Sequence, residues 1–580
     1  MKEKTKMTEE NSLSEKSGDA EHEAKDESAA VTGTEPVQST EWKPSRSEWL
    51  IFLNLAIISL IVSLDSSILG PVLPAIARSL HGNANETFWA GTSYLVTCAI
   101  FQPFIVSLSD AFGRRQLLFS SLLLFTIGTV LCCLAENFRT LLAGRSIQGV
   151  GGGGALSLVL VIMTDIVPLR QRPKYYSLIQ LAWAVGLLSG PIAGGGFAEH
   201  TTWRWIFYIN FPFCGIGLAM VPFVVRLRAQ RASLQDRLMK TDWLGAFLFI
   251  SSTCSFLIGI TWGGTQYPWN SWRTIVPIVL GVAGIVATLC WERHGAPQPF
   301  LRLWLFKDHA ATAAYACSVL QGLLVSPHFP TLDVLPARLR QGSDTTLLQM
   351  FAHLYYLPMY LQSAQAYGPM LSGVGLVPII GGLIPTSVIV GGVMTRLGRY
   401  RWAIWSGWAT IIVSTGLLII LSSSTPTYGW ILLFLTIGPS HGLVLTSLNF
   451  ALQALATERD GAYAAAMYTF MRTFGMCLGV AFGGTVFQNR MLVHLAAKGL
   501  DQRVAKDAEA FILVLNSMPD SAETASYRVA YAEAFRNLFE VLLGVAVLAG
   551  VASAFVKHAS MDRVLDSEHV FKEQEEKSKA

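Results

Sequence analysis

The sequence predicts an all-α, polytopic membrane protein with 14 transmembrane helices, and three observations support this fold class. Of the 580 residues, 52% are hydrophobic and only 14% are charged, whereas a soluble protein carries roughly 25% charged residues to wet its surface. The mean hydropathy is +0.43. Finally, apolar runs long enough to cross a bilayer recur between two polar ends. Most of the protein surface is therefore expected to face lipid.

Fourteen apolar runs are predicted to be the membrane-spanning helices, because each is close to the roughly 20 residues that a bilayer requires. They lie near residues 49–70, 88–108, 116–135, 140–163, 175–197, 205–225, 243–263, 273–291, 310–324, 371–394, 402–421, 429–450, 463–487 and 537–556. The ninth run is unusually short.

The segments outside the runs predict the orientation. Residues 1–41 and the tail 557–580 are polar and are expected to be solvated, the first of them as a disordered segment. Lys and Arg are concentrated in alternate loops, with about 17 on one side against about 4 on the other, which places both termini in the cytosol. Residues 488–535 are then predicted to form a long external loop.

Ionisable side chains inside the runs are candidates for function, because burying a charge in lipid is costly. Asp65 in the first run and Arg145 in the fourth are predicted to lie at matched depth. Such a pair neutralises itself, and a proton or a substrate can compete for it. The alternative is a purely structural pair. Arg472 is a further intramembrane charge, in the thirteenth run.

Several protein classes are excluded. The eight cysteines all lie in apolar runs without disulfide or metal-ligand spacing, and no basic stripe suggests nucleic acid. No motif of nucleophilic or metal-dependent catalysis is present, so we expect no enzyme, no metal and no cofactor. Asn85-Glu86-Thr87 is a glycosylation sequon in the first predicted external loop.

The ninth run ends at Leu324 and is followed by a segment, residues 325–349, that contains three prolines and several charged groups. Removing it would join 310–324 to 350–363 as one apolar helix. Val325-Ser326 is encodable as GTGAGT and Gln349 as CAG, which are common intron ends. We therefore predict that 325–349 is a retained intron; the alternative is a genuine insertion that interrupts the ninth helix.

Several motifs resemble those of the major facilitator superfamily, in its fourteen-helix drug:proton antiporter branch, and look most like fungal efflux pumps. The resemblance covers about residues 48–556. Residues 106–115 resemble motif A, with Asp110, Gly113, Arg114 and Arg115 at the expected places, although Val106 and Ser107 replace its usual Gly and basic residue. Motif B is matched by Arg145, Gln148 and Gly149, and the antiporter motif by Gly186, Gly190, Pro191, Gly194 and Gly195.

The resemblance implies a major facilitator fold with two six-helix bundles, 48–225 and 301–556, joined by a cytosolic linker and an inserted helix pair in 226–300. It also implies that Asp110 and Arg114 latch the cytosolic mouth, and that Arg145, with Asp65, takes part in proton coupling. The glycines and proline of the antiporter motif would seal the fifth helix against its partner.

The predicted function is proton-coupled efflux of a small organic molecule, such as a drug, toxin or secondary metabolite, by alternating access. We expect a monomer in the plasma membrane or a vacuolar membrane, whose partners are its substrate, protons and the bilayer. Two alternatives remain. One is proton-coupled uptake of a small molecule or metal chelate; the other is a receptor with the same fold that does not transport.

Overall fold

The computed structural model describes residues 42–82, 84–226, 235, 238–239, 241–263, 266–296, 299–322 and 350–562. Regular structure in these residues is helical, apart from an isolated bridge between Gly263 and Tyr267. The first group of α-helices is α1 (Arg46–Ile68), α2 (Leu73–Ser79), α3 (Ala84–Phe112), α4 (Arg114–Cys133), α5 (Phe138–Ile166), α6 (Arg172–His200), α7 (Trp205–Tyr208) and α8 (Asn210–Val224). The helices that follow are α9 (Trp243–Trp262), α10 (Trp272–His294), α11 (His309–Gly322), α12 (Met350–Ser363), α13 (Pro369–Val374), α14 (Val377–Leu397), α15 (Arg401–Leu418), α16 (Thr427–Leu455), α17 (Gly461–Ala497), α18 (Ala508–Ser517) and α19 (Ala522–Ala554).

Twelve helical stretches in the described part of the chain are long and apolar enough to cross a membrane. They coincide with every predicted run except the ninth and the eleventh. The eleventh is α15, with 18 residues, and the ninth is divided between α11 and α12. The all-helical, polytopic fold class is confirmed, and fourteen spans result when α15 and the pair α11–α12 each count as one.

The helices α11 and α12 have 14 residues each. At 1.5 Å per residue each is about 21 Å long, shorter than the roughly 30 Å of a hydrocarbon core. Their bounds lie close to the two parts expected for an interrupted ninth helix. Residues 325–349 themselves lie outside the described residues, so the retained intron stays a prediction.

The segment 488–535 differs from the expected loop, because most of it is helical. Helix α17 continues to Ala497, α19 begins at Ala522, and α18 lies between them. Polar residues near these helix ends contact each other. Oε2 of Glu533 forms an ion pair with Nζ of Lys498 at 2.8 Å and lies 3.2 Å from Nδ1 of His494. Hydropathy alone ends α17 too early and begins α19 too late, because helices stabilised in this way extend past their apolar runs.

The long helices pack in two groups that meet along two seams. In the first group α1 packs on α6, and α5 packs on both α3 and α4; in the second, α14 packs on α16, and α15 packs on α16 and α19. The seams are formed by α3 with α17 and by α6 with α14. Helices α9 and α10 pack on each other, and α9 lies against α3 and α17.

Glycines of α5 explain how it packs between two neighbours. A Cβ placed on Gly149 or Gly153 would lie 2.4 Å from the Tyr94 carbonyl oxygen or 2.2 Å from that of Cys98, both in α3. A Cβ on Gly151 would lie 2.3 Å from the backbone nitrogen of Phe125 in α4. The small residues therefore permit close backbone approach on two faces, which brings the polar residues of α5 against α1, α3 and α4.

Candidate functional site

An ion pair lies buried inside the first group of helices. Arg145 of α5 donates from Nη1 to Oδ2 of Asp65 in α1 at 2.7 Å. Asp65 is 0% exposed and Arg145 is 1% exposed. The two residues that the sequence places at matched depth are therefore in direct contact, and both are closed off from solvent.

The carboxylate of Asp65 has further donors. Its Oδ1 accepts from Nε2 of Gln148 and from Nδ2 of Asn210, each at 2.8 Å. The Gln148 amide also donates to Thr129 at 2.9 Å. The donors to Asp65 come from α5 and α8, and Thr129 of α4 accepts from one of them, so the carboxylate is linked to three helices around α1.

The guanidinium of Arg145 is satisfied in the same way. Its Nη1 also donates to Oε1 of Gln148 at 2.7 Å, and its Nε donates to the Ala90 carbonyl at 3.3 Å. The guanidinium carbon lies 4.4 Å from the centre of the Tyr94 ring, an arrangement that favours a cation. Every charge of the pair is thus compensated, as buried charges require.

This arrangement can respond to a proton. Protonation of Asp65 would remove one charge, and Arg145 would then be a buried cation without a counter-ion, which is strongly unfavourable. The contacts among α1, α5 and α8 would have to change. Because the pair is closed to solvent, a proton could reach it only if the helices opened a path.

A second charged network begins where α3 turns into α4. Gly113 links the two helices with a φ of 101°, a value that glycine adopts far more readily than other residues. The next residue, Arg114, is 4% exposed and forms ion pairs with Asp110 and, at 3.0 Å, with Asp165. Val106, the departure from motif A, is buried against Val161 and Ala466.

The network continues into the second group of helices. The Tyr463 hydroxyl of α17 donates to Asp110. Arg302 lies 4.0 Å from Asp110, stacks 3.4 Å from the centre of the Tyr463 ring, and binds Asp460 at 2.5 Å. At the motif A end, therefore, the two groups are held together by charges and hydrogen bonds rather than by apolar packing alone.

Arg302 retains its charge in this network. Burial alone would lower the pKa of its guanidinium, but Tyr463, the hydrogen bond to Asp460 and the charge of Asp110 raise that pKa above its ordinary value. A permanent cation at this point favours the ionised form of Asp460.

The antiporter-motif glycines lie along one face of α6 against α1. A Cβ on Gly186 would lie 2.3 Å from the Leu60 carbonyl oxygen, and one on Gly194 would lie 2.3 Å from that of Ile68. Gly190 faces Ser67 between them. Pro191 lies on another side of α6 and is approached by Gly373 of α13, so α6 is packed between α1 and the second group.

The remaining candidates lie apart from these clusters. Arg115 is exposed, and Gly195 is buried within α6. Arg472 is buried in α17, 6% exposed, beside aromatic rings. Asn85 lies in the first turn of α3, which begins at Ala84, and its side chain is outside the described residues.

Several members of both clusters are not recognisable from the sequence alone. Asn210 and Thr129 stand out only weakly as site residues, because the sequence shows a polar residue in an apolar run but does not show which residue it contacts. Tyr463 and Arg302 carry no local pattern, since their contacts with Asp110 join parts of the chain about 190 to 350 residues apart. Asp460 joins the cluster only through Arg302.

Comparisons with known proteins agree with this architecture. The family profile described as Major Facilitator Superfamily matches residues 55–480. The chain is 39% identical to the MFS transporter L2 of a Phoma species over 526 residues, covering 90% of this chain and 84% of that protein. It is 32% identical to the MFS-type transporter gkaD of Penicillium citrinum, covering 95% and 92%. With the efflux pump FUS6 of Gibberella moniliformis it shares 30% identity, covering 93% and 92%.

Solved structures with the same fold include the human organic anion transporter MFSD10 (TETRAN), with a TM-score of 0.53 at 13% identity, covering 88% of this chain and all of that one (100%). The proton:xylose symporter XylE superposes with a TM-score of 0.53 at 14% identity, covering 88% and 96%. At these identities the likeness concerns the fold.

Proposed function

The chain belongs to the major facilitator superfamily, and on that premise we propose that this transporter exports a small organic molecule in exchange for protons. The proposal depends chiefly on the ion pair of Asp65 and Arg145. A transporter that uses a proton gradient needs a buried group whose protonation changes the relative stability of two conformations. Asp65 meets this requirement, because losing its charge would leave Arg145 uncompensated.

Export is favoured by the relatives that are at least 30% identical to this chain over nine-tenths of its length, since one of them is named as an efflux pump. The glycine-lined contact of α6 with α1 supports the same direction, as it matches the antiporter motif. We propose a drug, toxin or secondary metabolite as the class of cargo.

Alternating access would use the motif A network as a latch. We propose that the end containing Asp110, Arg114 and Tyr463 is cytosolic, with both termini on that side and the protein acting as a monomer in the plasma or vacuolar membrane. Closing this network would hold the two helix groups together at the inner mouth, and breaking it would open the cargo path to the cytosol.

The export hypothesis is tested by comparing metabolites in the medium of cells that carry the gene, lack it, or carry Asp65→Asn. Asn keeps the size of Asp but removes its charge. In cells that lack the gene or carry Asp65→Asn, we expect one or more compounds to be absent from the medium and to accumulate inside the cells. Asp520→Asn, which removes an exposed carboxylate, is the matched control. Depletion of a compound from the medium only when the gene is present would favour uptake instead.

A further inference from the structure

Arg472 differs from every other buried charge described above, because its guanidinium is not satisfied. It lies in the first half of α17 and is 6% exposed. Its Nε and Nη1 atoms are buried without a hydrogen-bond partner in the part of the chain that the structure describes, and it forms no ion pair there. Arg145, by contrast, has an acidic partner and two further acceptors.

The surroundings of Arg472 come from both helix groups. Its guanidinium carbon lies 5.8 Å from the centre of the Trp183 ring of α6 and 5.8 Å from that of Tyr468, one turn earlier in α17. The next residue, Thr473, accepts a hydrogen bond from Gln102 of α3 at 3.2 Å. Arg472 therefore lies at the junction of the two groups, where a transported molecule would have to pass.

The facing side of α6 is also incompletely satisfied. Tyr176, Gln180 and Trp183 follow at the spacing of one helix face. The Nε2 of Gln180 is buried without a hydrogen-bond partner in the described residues. Two donors from opposite groups, one of them a cation, thus lack acceptors in the same region, beside aromatic rings.

An unpaired, buried guanidinium is strongly unfavourable, and it is stabilised most effectively by an anion that it can bind with two parallel hydrogen bonds. Carboxylates have the planar geometry that suits this fork. The rings of Trp183 and Tyr468 would cover the apolar body of such a ligand. We infer that the cargo of this transporter is an aromatic or otherwise apolar organic carboxylate, bound through its negative group to Arg472.

This inference extends the proposed function by naming the cargo class. In the bound state, the carboxylate accepts from Arg472, an acceptor of the cargo receives the Gln180 amide, and the ring packs on Trp183. A cationic cargo would be repelled by Arg472, and a neutral ester would offer a weaker acceptor and leave the charge uncompensated.

The test measures the melting temperature of the purified full chain in nanodiscs with three probes that share one ring: 1-naphthoate, its methyl ester, and 1-naphthylmethylammonium. We expect the melting temperature to rise saturably with 1-naphthoate. The apparent affinity for the other two probes should be at least about tenfold weaker, a factor that corresponds to about 1.4 kcal/mol of binding free energy. Arg472→Gln removes the preference, and Arg472→Lys retains part of it. Arg490→Gln, which removes a positive charge from the same helix about 27 Å away, leaves it unchanged.

Equal responses to the three probes, a preference for the ester or the ammonium, or no response to 1-naphthoate would each overturn the inference. So would an unchanged preference in Arg472→Gln. If Arg472→Gln does not fold, the order of the three probes in the unaltered protein decides. If the unaltered protein does not prefer 1-naphthoate, the cargo class is rejected but proton-driven export is not. If the protein binds 1-naphthoate but its export does not depend on protons, the proposed function is rejected but the cargo class is not.

Discussion

Asp65 shows how one carboxylate organises several helices. It accepts from Arg145 and Gln148 of α5 and from Asn210 of α8, while its own backbone belongs to α1. Neutralising it weakens three hydrogen bonds at once and leaves a buried cation. The consequences for stability and for transport are separable, because stability depends on charge balance whereas the proposed proton coupling depends on the carboxyl group itself.

Charge balance predicts a non-additive pair of substitutions. Arg145→Ala alone leaves Asp65 buried and uncompensated, and breaking a buried pair in this way costs about 3–5 kcal/mol in the free energy of unfolding. Combining it with Asp65→Asn should recover most of that loss without restoring efflux. Unfolding of the detergent-purified variants measures the first quantity. A double variant no more stable than Arg145→Ala would contradict the charge-balance explanation.

The latch predicts a different response at Asp110. Asp110→Ala removes one of the two carboxylates paired with Arg114 and the acceptor of the Tyr463 hydroxyl. We therefore expect transport to fall at least about tenfold, equivalent to about 1.4 kcal/mol. Arg115→Ala is the matched control, because Arg115 belongs to the same motif but is exposed. The measurement is the initial efflux rate of each variant at equal surface expression. Equal rates for Asp110→Ala and Arg115→Ala would contradict the latch hypothesis.

Helix α6 packs on α1 through a face of small residues. Gly186, Gly190 and Gly194 recur at intervals of four residues, and each allows the backbone of α1 to approach within contact distance. The backbone of α1 lies where a Cβ on each of these glycines would be, so the contact is sensitive to a single methyl group.

Two glycines of α6 provide a matched test of that contact. A Cβ on Gly194 would lie 2.3 Å from the Ile68 carbonyl oxygen, whereas nothing lies within 4 Å of a Cβ on Gly196. Gly194→Ala should therefore destabilise the protein by about 1–3 kcal/mol, as overpacking typically does, and reduce transport. Gly196→Ala should change neither. Melting temperatures that shift equally in both variants would show that the close approach is unimportant.

The ninth span is interrupted between α11 and α12. Without 325–349, α11 and α12, of 14 residues each, would be separated by residues 323 and 324 alone. Together they would be long enough to cross a bilayer, whereas neither is long enough by itself. We predict that the mature transcript lacks the codons for 325–349. Sequencing the transcript from the gene's own cells decides the matter, and a mature message that keeps those codons would establish a genuine insertion.

At the scale of the whole molecule, two groups of helices are joined by the seams α3–α17 and α6–α14 and by the charged network at the motif A end. Transport by alternating access requires these groups to move against each other. Val106 of α3 and Ala466 of α17 pack together beside that network, so a bond between them would restrain the motion.

A reversible cross-link tests this requirement. In Val106→Cys with Ala466→Cys, oxidation should stop efflux and a reductant should restore it. The control joins helices of one group: Ala549→Cys would pair with the native Cys317, whose Sγ lies 3.6 Å from the Ala549 carbonyl oxygen, and should permit transport when oxidised. Full efflux through the oxidised Val106–Ala466 link would argue against relative motion of the groups.

Much of the fold was predictable from the sequence, because long apolar runs and the depth of Asp65 and Arg145 are local or periodic properties. The family motifs likewise led to Gln148 and to the glycines of α6. The helical extension of α17 and α19 was missed, since Lys498 and Glu533 stabilise it outside the apolar runs. Asn210, Tyr463 and Arg302 were missed as site residues because their roles depend on partners distant in the chain.

We propose that protonation of Asp65 drives export, and uptake into inside-out vesicles under an imposed pH gradient tests this proposal. The cargo is the compound identified by comparing media. With the unaltered protein, an acidic interior should drive uptake that a protonophore abolishes. Asp65→Asn should abolish the gradient-driven part while leaving cargo binding measurable. Gradient-driven uptake at the normal rate in Asp65→Asn would contradict the account.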